Sequence, residues 1–210
     1  MFMPAILIVD DHPAICFALK SSLEAEDDLS VTTTTDGGKV MSLIREHQPD
    51  LIILDIALLK LDGLDLLARI KHYCPTIRVL ILSGLPAEIY ASRSRKAGAD
   101  GFLSKQHLLT AISAVVRLLL DGYNCFPGGS FIDENAHSTT EIDSTQLLAR
   151  MSDREITVLR YLAEGKSNKE IGELLQLSNK TISTYKARLL EKSGADSLTD
   201  LLNQFKNIPS

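Results

Sequence analysis

The chain has 210 residues, of which 45% are hydrophobic and 23% charged, and its formal net charge at pH 7 is −5. This composition is typical of globular proteins, and at about 100–200 residues per domain the length fits one or two domains. No uncharged stretch exceeds 11 residues, which excludes a membrane-spanning helix because such a helix needs ~18. The start, MFMPAILIVDD, has no basic segment before its apolar run, so we expect no export, and the three cysteines form no C-x-x-C pair. We therefore expect a cytoplasmic protein that does not bind a membrane.

The charge is distributed unevenly along the chain. Residues 1–125 carry −3, residues 126–149 carry −4 and residues 150–210 carry +2. The middle segment has no basic residue and is rich in Gly, Ser, Thr, Asn and Asp, which is typical of a linker. We expect a first domain over residues 1–122, an acidic flexible linker over 123–149 and a second domain over 150–210.

The first domain alternates short aliphatic runs with segments of helical periodicity, which predicts a parallel sheet covered by helices. The predicted strands are Ala5–Val9, Val31–Thr35, Leu51–Leu54, Val79–Leu82 and Gly101–Leu103. The predicted helices are Ala14–Leu23, Val40–Glu46, Leu64–Tyr73, Ile89–Ala97 and Leu108–Leu119. Pro13 and Pro86 lie where helices begin, a position that suits proline.

Polar residues follow four of the predicted strands. Asp10 and Asp11 follow the first, Asp55 the third, Ser83 the fourth and Lys105 the fifth. Three carboxylates at one sheet edge repel one another, by about 1 kcal/mol or more per pair at ~4 Å, so the cluster calls for a cation. All-oxygen ligation suits Mg²⁺, and a hydroxyl and an ammonium suit phosphoryl oxygens. Taken alone, an aspartate such as Asp11 at a strand end is more often a helix cap or turn residue than a catalytic one.

The motifs ILIVDDHP, DLIILDI, VLILSG and GADGFLSK occur in an order and spacing that resemble the receiver domain of bacterial two-component response regulators, over roughly residues 4–122. The resemblance implies a flavodoxin-like (βα)5 fold in which Asp55 accepts a phosphoryl group from a sensor histidine kinase or its phosphotransfer domain. It further implies Mg²⁺ held by Asp10, Asp11, Asp55 and the backbone carbonyl of Ala57. Ser83 and Phe102 match the switch positions of the family, and Lys105 matches its phosphate-binding lysine.

The loop after Asp55 departs from the family pattern. It reads D-I-A-L-L-K-L-D-G, in which Gly63 is kept but Leu59 replaces the usual proline. We expect a less rigid or more apolar loop and an altered phosphotransfer rate or kinase preference. A phosphatase of the haloacid-dehalogenase type is the enzymatic alternative, but it would need a second aspartate where this chain has Ala57. We therefore expect a regulator and not an enzyme.

The second domain has four helical segments. Ser152 and Glu155 form a capping box that opens the first helix, and Gly165 closes it. The second helix spans Asn168–Leu175 and precedes a tight Gln176-Leu177 turn. The third begins at a cap on Ser178 or Asn179 and runs to about Ser193, and the fourth spans Ser197–Asn207. Two short helices joined by a tight turn, the second of them basic, are typical of a helix-turn-helix.

The third helix carries a local charge of +3, from Lys180, Lys186, Arg188 and Lys192 against Glu191. Its apolar residues, Ile182, Leu189 and Leu190, recur at helical intervals. We therefore expect an outward face formed by Thr181, Ser183, Thr184, Lys186, Ala187 and Arg188. Small side chains allow close approach to base edges, and basic ones neutralise phosphates.

Residues 150–206, with SDREITVLRYLAEGKSN and LSNKTISTYKARLLEK, resemble the C-terminal domain of the LuxR/NarL/FixJ class and are similar to regulators of the BvgA/EvgA type. The resemblance implies a third helix in the DNA major groove, with Ser183, Thr184 and Ala187 at base-contacting positions, and a fourth helix that helps to form a homodimer. Lys180, Lys186 and Arg188 are then expected on phosphate. We expect a dimeric transcriptional regulator that reads paired half-sites and acts on RNA polymerase. The alternative is constitutive DNA binding with a receiver that acts mainly in dimerisation.

Overall fold

The computed structural model describes residues 3–25, 28–58, 61–85, 87–128, 147–148, 150–175 and 177–206. The chain divides into two compact units, Met1–Ile132 and Asp133–Ser210. Each unit has buried aliphatic side chains of its own. The predicted boundaries at residues 122 and 150 stay predictions, because most of the segment between them lies outside the described residues.

The first unit is built on five parallel strands in the order β2-β1-β3-β4-β5. They are β1 (Ala5–Val9), β2 (Ser30–Thr34), β3 (Leu51–Leu54), β4 (Arg78–Ser83) and β5 (Gly101–Ser104). All four residues of β3 are buried, as expected for a central strand with helices on both faces of the sheet. The predicted parallel α/β fold is confirmed, and the strand ends differ from the predicted ones by at most one residue.

In the described part of the first unit, the helices around this sheet are α1 (Pro13–Glu24), α2 (Val40–His47), α3 (Gly63–Tyr73), α4 (Ala87–Lys96) and α5 (Leu108–Leu120). Pro13 occupies the first turn of α1 as predicted, whereas Pro86 lies outside the described residues. Leu19 of α1 and Val116 of α5 belong to the same apolar core as β1 and β3. This packing fixes the sheet between its helices and leaves the carboxyl ends of the strands at one edge.

The first residues of the predicted linker are held against the sheet. The backbone N–H of Phe102 donates to Cys125 O at 2.8 Å, and the N–H of Cys125 donates to Asp100 O at 3.0 Å. Asp100 also accepts from Lys71 Nζ at 2.6 Å and forms an ion pair with Arg78. This network ties the chain after α5 to the amino-terminal edge of the sheet, opposite the edge where Asp10 and Asp55 lie.

The second unit contains α6 (Asp153–Ala163), α7 (Asn168–Leu175), α8 (Asn179–Ser193) and α9 (Leu198–Lys206). The predicted capping box at α6 is present, Gly165 has φ +80° after α6, and Ser178 is the residue that caps α8. Gln176 of the predicted turn lies outside the described residues. A Cβ on Gly172 would lie 2.6 Å from Leu177 O, so the close turn between α7 and α8 requires glycine there.

Glu155 joins the start of α6 to the end of α8. Its side chain is 3% exposed, and its Oε2 accepts from Ser152 N at 2.7 Å and from Lys192 Nζ at 2.6 Å. Burial raises the pKa of Glu155, but the hydrogen bonds from Lys192 and Ser152 outweigh it and hold the pKa below its usual range. A lowered pKa means that ionised Glu155 stabilises the folded state above the pKa of the unfolded chain. This stabilisation is lost as the pH falls through the folded pKa.

Replacing Glu155 with glutamine is therefore expected to lower the free energy of unfolding of the second unit by about 1–3 kcal/mol at pH 7. The difference from wild type should shrink as the pH falls below the ordinary carboxyl range, because wild-type Glu155 then becomes neutral too. Urea unfolding followed by circular dichroism, at pH 7 and at a pH below the ordinary carboxyl range, measures the difference between the two proteins. Glu173→Gln, at an exposed position of α7, is the control. A loss that does not change with pH would contradict the role given to the carboxylate.

Candidate functional site

Carboxylates from two strand ends meet at the carboxyl edge of the sheet. Asp10 follows β1 and Asp55 follows β3, and both are 1% exposed. Ligand atoms of Asp10, Asp11, His12 and Asp55 all lie within 4.8 Å of one another. The strand order places β1 beside β3, which is why residues 45 positions apart in the chain form one cluster. The predicted meeting of the three aspartates is present in the structure.

Lys105 closes this cluster from the turn after β5. Its Nζ lies 2.7 Å from Asp10 Oδ2 and 2.8 Å from Asp55 Oδ2. Burial raises the pKa of Asp55, and the Lys105 ammonium only partly offsets this. Burial also acts to lower the pKa of Lys105, but Asp55 and Asp10 more than compensate and raise it. Lys105 is therefore held in its protonated, positively charged form.

The charge balance and the donor atoms of the cluster fit a divalent cation. Three carboxylates against one ammonium leave an excess of two negative charges in a largely buried site. Aspartate oxygens are the ligands that Mg²⁺ takes in proteins, so the cluster is suited to this ion. The loop that carries Ala57, the predicted carbonyl ligand, folds back over the acceptor, since Ala57 N donates to Asp55 Oδ1 at 2.8 Å.

Gly63 brings the start of α3 against the backbone of the acceptor. A Cβ at this position would lie 2.3 Å from Ile56 Cα and 2.9 Å from Asp55 O, and both are backbone atoms that cannot turn aside. Asp62 fixes the same end of α3 by accepting from Leu64 N at 2.9 Å. The close approach of the backbone therefore requires glycine at position 63. Leu59, the departure from the family pattern, lies outside the described residues.

Replacing Gly63 with alanine is expected to force α3 away from the end of β3. We expect a loss of about 1–3 kcal/mol in the free energy of unfolding of the first unit, the usual cost of overpacking. Gly128→Ala is the matched control, because a Cβ there would meet nothing within 4 Å. Thermal unfolding of both variants measures the difference, and equal melting temperatures would show that the close approach is not rigid.

The two predicted switch residues lie inside the end of the sheet. Ser83 is fully buried, and its Oγ accepts from Leu85 N at 3.1 Å. Phe102 is 3% exposed, so its ring is buried. Their switching role stays a prediction.

His12 is a member of the cluster that the sequence reasoning did not select. Its Nδ1 lies 3.1 Å from Asp10 Oδ1 and 2.8 Å from Asp11 Oδ1. None of the five histidines has the H-x-x-x-H spacing typical of a metal site, so that pattern does not single out His12. The available signal was that His12 directly follows two aspartates at a strand end.

The second unit presents the face that the helical periodicity of α8 predicts. Ile182 and Leu189 are fully buried beneath this helix. Exposed or half-buried on its other side are Lys180, Thr181, Ser183, Thr184, Lys186, Ala187 and Arg188. This orientation makes them accessible, and their contact with DNA stays a prediction.

Lys192, which contributes to the local charge of +3 but not to the predicted outward face, forms an ion pair within the domain. Its ammonium is bound to the buried Glu155 carboxylate, so its charge stabilises the domain. Asn168, at the start of α7, was in turn overlooked. Its amide Nδ2 donates to Ser183 Oγ at 3.2 Å, and its Oδ1 accepts from Lys186 Nζ at 3.4 Å. Asn168 therefore orients two side chains of the candidate DNA-reading face.

Within the described part of the chain, every helix is too short or too polar to span a lipid bilayer. This agrees with the absence of a long uncharged stretch in the sequence.

Comparison with known proteins matches each unit to a family model. The model of the response regulator receiver domain matches residues 6–117. The model of bacterial regulatory proteins of the luxR family matches residues 149–204. Both matches follow the two compact units of the structure.

Similar proteins cover almost the whole chain. The virulence transcription regulator BvgA of Bordetella pertussis is 39% identical over 201 residues, which are 96% of this chain and 96% of that protein. The DNA-binding transcriptional activator EvgA of Escherichia coli is 32% identical and covers 93% of this chain and 94% of its own. The structure of RcsB from Salmonella enterica serovar Typhimurium, bound to the promoter rprA with the phosphomimetic BeF3⁻, covers 99% of this chain and 100% of that one. It has a TM-score of 0.66 at 22% identity, a likeness of fold.

Proposed function

The chain belongs to the two-component response regulators that join a receiver domain to a LuxR-type DNA-binding domain, and we propose that phosphorylation of Asp55 switches its DNA binding. The observation that carries the proposal is the pocket of Asp10, Asp11 and Asp55 closed by Lys105. Its buried excess of negative charge is suited to a divalent cation and a phosphoryl group, and burial keeps bulk water from the acceptor.

Asp55 is the nucleophile in this proposal. One of its carboxylate oxygens attacks phosphorus, the bond from phosphorus to a histidine nitrogen of the sensor kinase or its phosphotransfer domain breaks, and that nitrogen keeps the electron pair. Mg²⁺ held by Asp10, Asp11, Asp55 and the carbonyl of Ala57 would neutralise phosphoryl charge. Lys105 already lies 2.8 Å from Asp55 Oδ2 and binds a phosphoryl oxygen from there.

The phosphoryl group changes the charge at one point of a packed sheet edge. Its oxygens compete for Lys105, which is shared with Asp10, and for the Ser83 hydroxyl. Movement of Ser83 changes the space beside Phe102, so a local charge selects between two packings of the end of β5. We propose that this selection favours a homodimer.

In the DNA-binding unit, α8 enters the major groove. Ser183, Thr184 and Ala187 approach base edges together with Thr181, while Lys180, Lys186 and Arg188 bind phosphates. A dimer places two such helices on half-sites about 34–36 Å apart and acts on RNA polymerase in the cytoplasm. The promoter-bound structures of RcsB, a protein of the same fold, support DNA binding.

A second candidate is DNA binding that needs no phosphoryl group, with a receiver used mainly for dimerisation. The complete carboxylate and lysine set favours the switch, since a receiver used only for dimerisation has no need to cluster three carboxylates, two of them buried, beside a lysine.

The phosphoacceptor assignment is tested with acetyl phosphate and Mg²⁺ on the full chain. Borohydride reduction converts an aspartyl phosphate into homoserine, which mass spectrometry locates. We expect one modified residue, Asp55, and no modification when Mg²⁺ is chelated. Modification of another aspartate, or none at all, would contradict the assignment.

A further inference from the structure

Ser183 lies on the exposed face of α8, and two hydrogen bonds fix its hydroxyl group. Its Oγ donates to the backbone oxygen of Asn179 at 3.0 Å, one helical turn earlier. The same Oγ lies 3.2 Å from Nδ2 of Asn168, at the start of α7. A serine hydroxyl has one proton to donate and two lone pairs that accept. These contacts use the proton and one lone pair, so one lone pair remains for a partner outside the protein.

Lys186 determines which end of the Asn168 amide faces Ser183. Nζ of Lys186 lies 3.4 Å from Oδ1 of Asn168. An ammonium group only donates, so the amide atom beside it has to be the oxygen. The NH₂ group at the other end of the amide therefore faces Ser183 and donates to Oγ. Reversing the amide would place this NH₂ group against the ammonium of Lys186.

Thr184 adds a second acceptor on the same face of α8. Its Oγ1 donates to the backbone oxygen of Lys180 at 3.0 Å, so its proton is also used within the helix. Ala187, one turn further along, has only a methyl group. The three predicted base-contacting positions, Ser183, Thr184 and Ala187, therefore offer DNA acceptors and methyl groups but no hydrogen-bond donor.

The donors that base edges present in the major groove are amino groups. Adenine carries one at N6 and cytosine one at N4, whereas guanine and thymine present acceptors in their place. A serine hydroxyl that is free to turn pairs with either kind of edge. To donate to guanine or thymine, Ser183 would have to give up its hydrogen bond to Asn179.

We propose that Ser183 reads an amino group in the major groove, so that it selects adenine or cytosine against guanine or thymine at one position of the half-site. Asn168 is the positioning residue, because its NH₂ group holds the side-chain direction in which Ser183 keeps its proton on the Asn179 carbonyl. The inference rests on the proposed function, in which α8 enters the major groove.

The test begins with a selection from a random-sequence duplex library on the full-length protein, treated with acetyl phosphate and Mg²⁺. Fluorescence anisotropy then gives the affinity for the selected duplex with each of the four bases at each position. We expect one position per half-site at which wild type prefers adenine or cytosine about five- to tenfold and Ser183→Ala does not. Ser183→Thr should keep this preference, because a threonine hydroxyl bonds the same backbone carbonyl.

Base analogues test the amino group itself at the position that depends on Ser183. In 2-aminopurine, which replaces adenine, the amino group lies in the minor groove, and pyrimidin-2-one, which replaces cytosine, has no amino group. The analogue should weaken binding by wild type about five- to tenfold more than binding by Ser183→Ala, in which the contact is already missing. Equal losses in the two proteins would overturn the contact.

Asn168→Ala separates positioning from a structural role. The proposal expects the amino preference to fall at the Ser183-dependent position, whereas weaker binding to all duplexes with the preference retained would overturn the role of Asn168. Ser193→Ala is the matched control, because Ser193 also donates to a carbonyl of α8, that of Leu190 at 3.1 Å, ten residues beyond Ser183. This variant should keep every base preference.

The outcomes for Ser183 and for the proposed function are distinct. A preference for guanine or thymine at the Ser183-dependent position, or base preferences that Ser183→Ala leaves unchanged throughout the site, would overturn the reading by Ser183 and leave the phosphorylation switch in place. If Asp55→Asn binds the selected duplex as tightly as treated wild type, with the same preference for an amino group, the switch is overturned and the reading by Ser183 stands.

Discussion

Asparagine in place of Asp55 is expected to reduce phosphoryl incorporation at least ~100-fold, because an amide oxygen is a poor nucleophile and cannot be ionised. The same change should stabilise the folded protein when no divalent cation is present. Burial raises the pKa of Asp55, so the ionised carboxylate destabilises the folded state at pH 7. Removing its charge relieves repulsion of about 1 kcal/mol with each neighbouring carboxylate. Phosphate incorporation and urea unfolding of the same preparation measure the two effects.

The sign of the pH dependence follows from the raised pKa. The penalty is absent below the pKa of the unfolded carboxyl group and appears as the pH rises through the folded pKa, so the stability gain of Asp55→Asn should grow over that range. Asp65→Asn, at an exposed position of α3, is the control for both readouts. Undiminished incorporation in Asp55→Asn would rule out Asp55 as the acceptor, and lower stability would contradict the charge balance.

Loss of the basic side chains of α8 is expected to have the second large effect. In Lys180→Ala, Lys186→Ala and Arg188→Ala combined, three phosphate contacts disappear. The slope of log affinity against log salt should therefore become shallower by about 2.7 units on duplex DNA. Affinity at moderate salt should fall more than ~100-fold, by similar factors for unrelated sequences. Fluorescence anisotropy with a labelled duplex at several salt concentrations measures both.

Lys192→Ala is the comparison for the triple variant, because Lys192 lies on the same helix but has a structural role. Since Lys192 pairs with buried Glu155, its loss should lower the stability of the second unit and leave the salt slope unchanged at temperatures where the unit is folded. An unchanged slope in the triple variant would mean that these side chains do not bind phosphate. A shallower slope in Lys192→Ala would mean that Lys192 does.

The fold follows closely from local patterns. The aliphatic run of Leu51–Leu54 and the helical spacing of Asn168–Leu175 predict the observed strand and helix without error. All four residues of the strand are buried, and the helix buries Ile171 and Leu175 on one face, as its periodicity specifies. The ends of strands are harder to predict from sequence where a polar residue can continue the strand. Ser83 and Ser104 extend their strands by one residue because the neighbouring strand supplies a partner, which a single segment of sequence does not reveal.

The site was predictable where it depends on topology and not where it depends on side-chain direction. Parallel strands place Asp10 and Asp55 at one edge, so their meeting follows from strand order. The His12 side chain is 67% exposed, yet its Nδ1 lies 3.1 Å from Asp10 Oδ1 and 2.8 Å from Asp11 Oδ1, a direction that the sequence does not specify. Likewise, the charge of Lys192 was counted correctly, but its partner Glu155 lies 37 residues away in the chain.

The central claim is that the state of Asp55 controls DNA binding. The DNA is a duplex obtained from a random-sequence library by selection for binding to the phosphorylated protein. The direct measurement is the affinity of the full chain for this duplex, with and without acetyl phosphate and Mg²⁺, for wild type and Asp55→Asn. We expect the donor to tighten binding at least ~10-fold in wild type, accompanied by dimer formation in light scattering, and to have no effect on Asp55→Asn. Equal affinities in all four samples would contradict the switch and support constitutive binding.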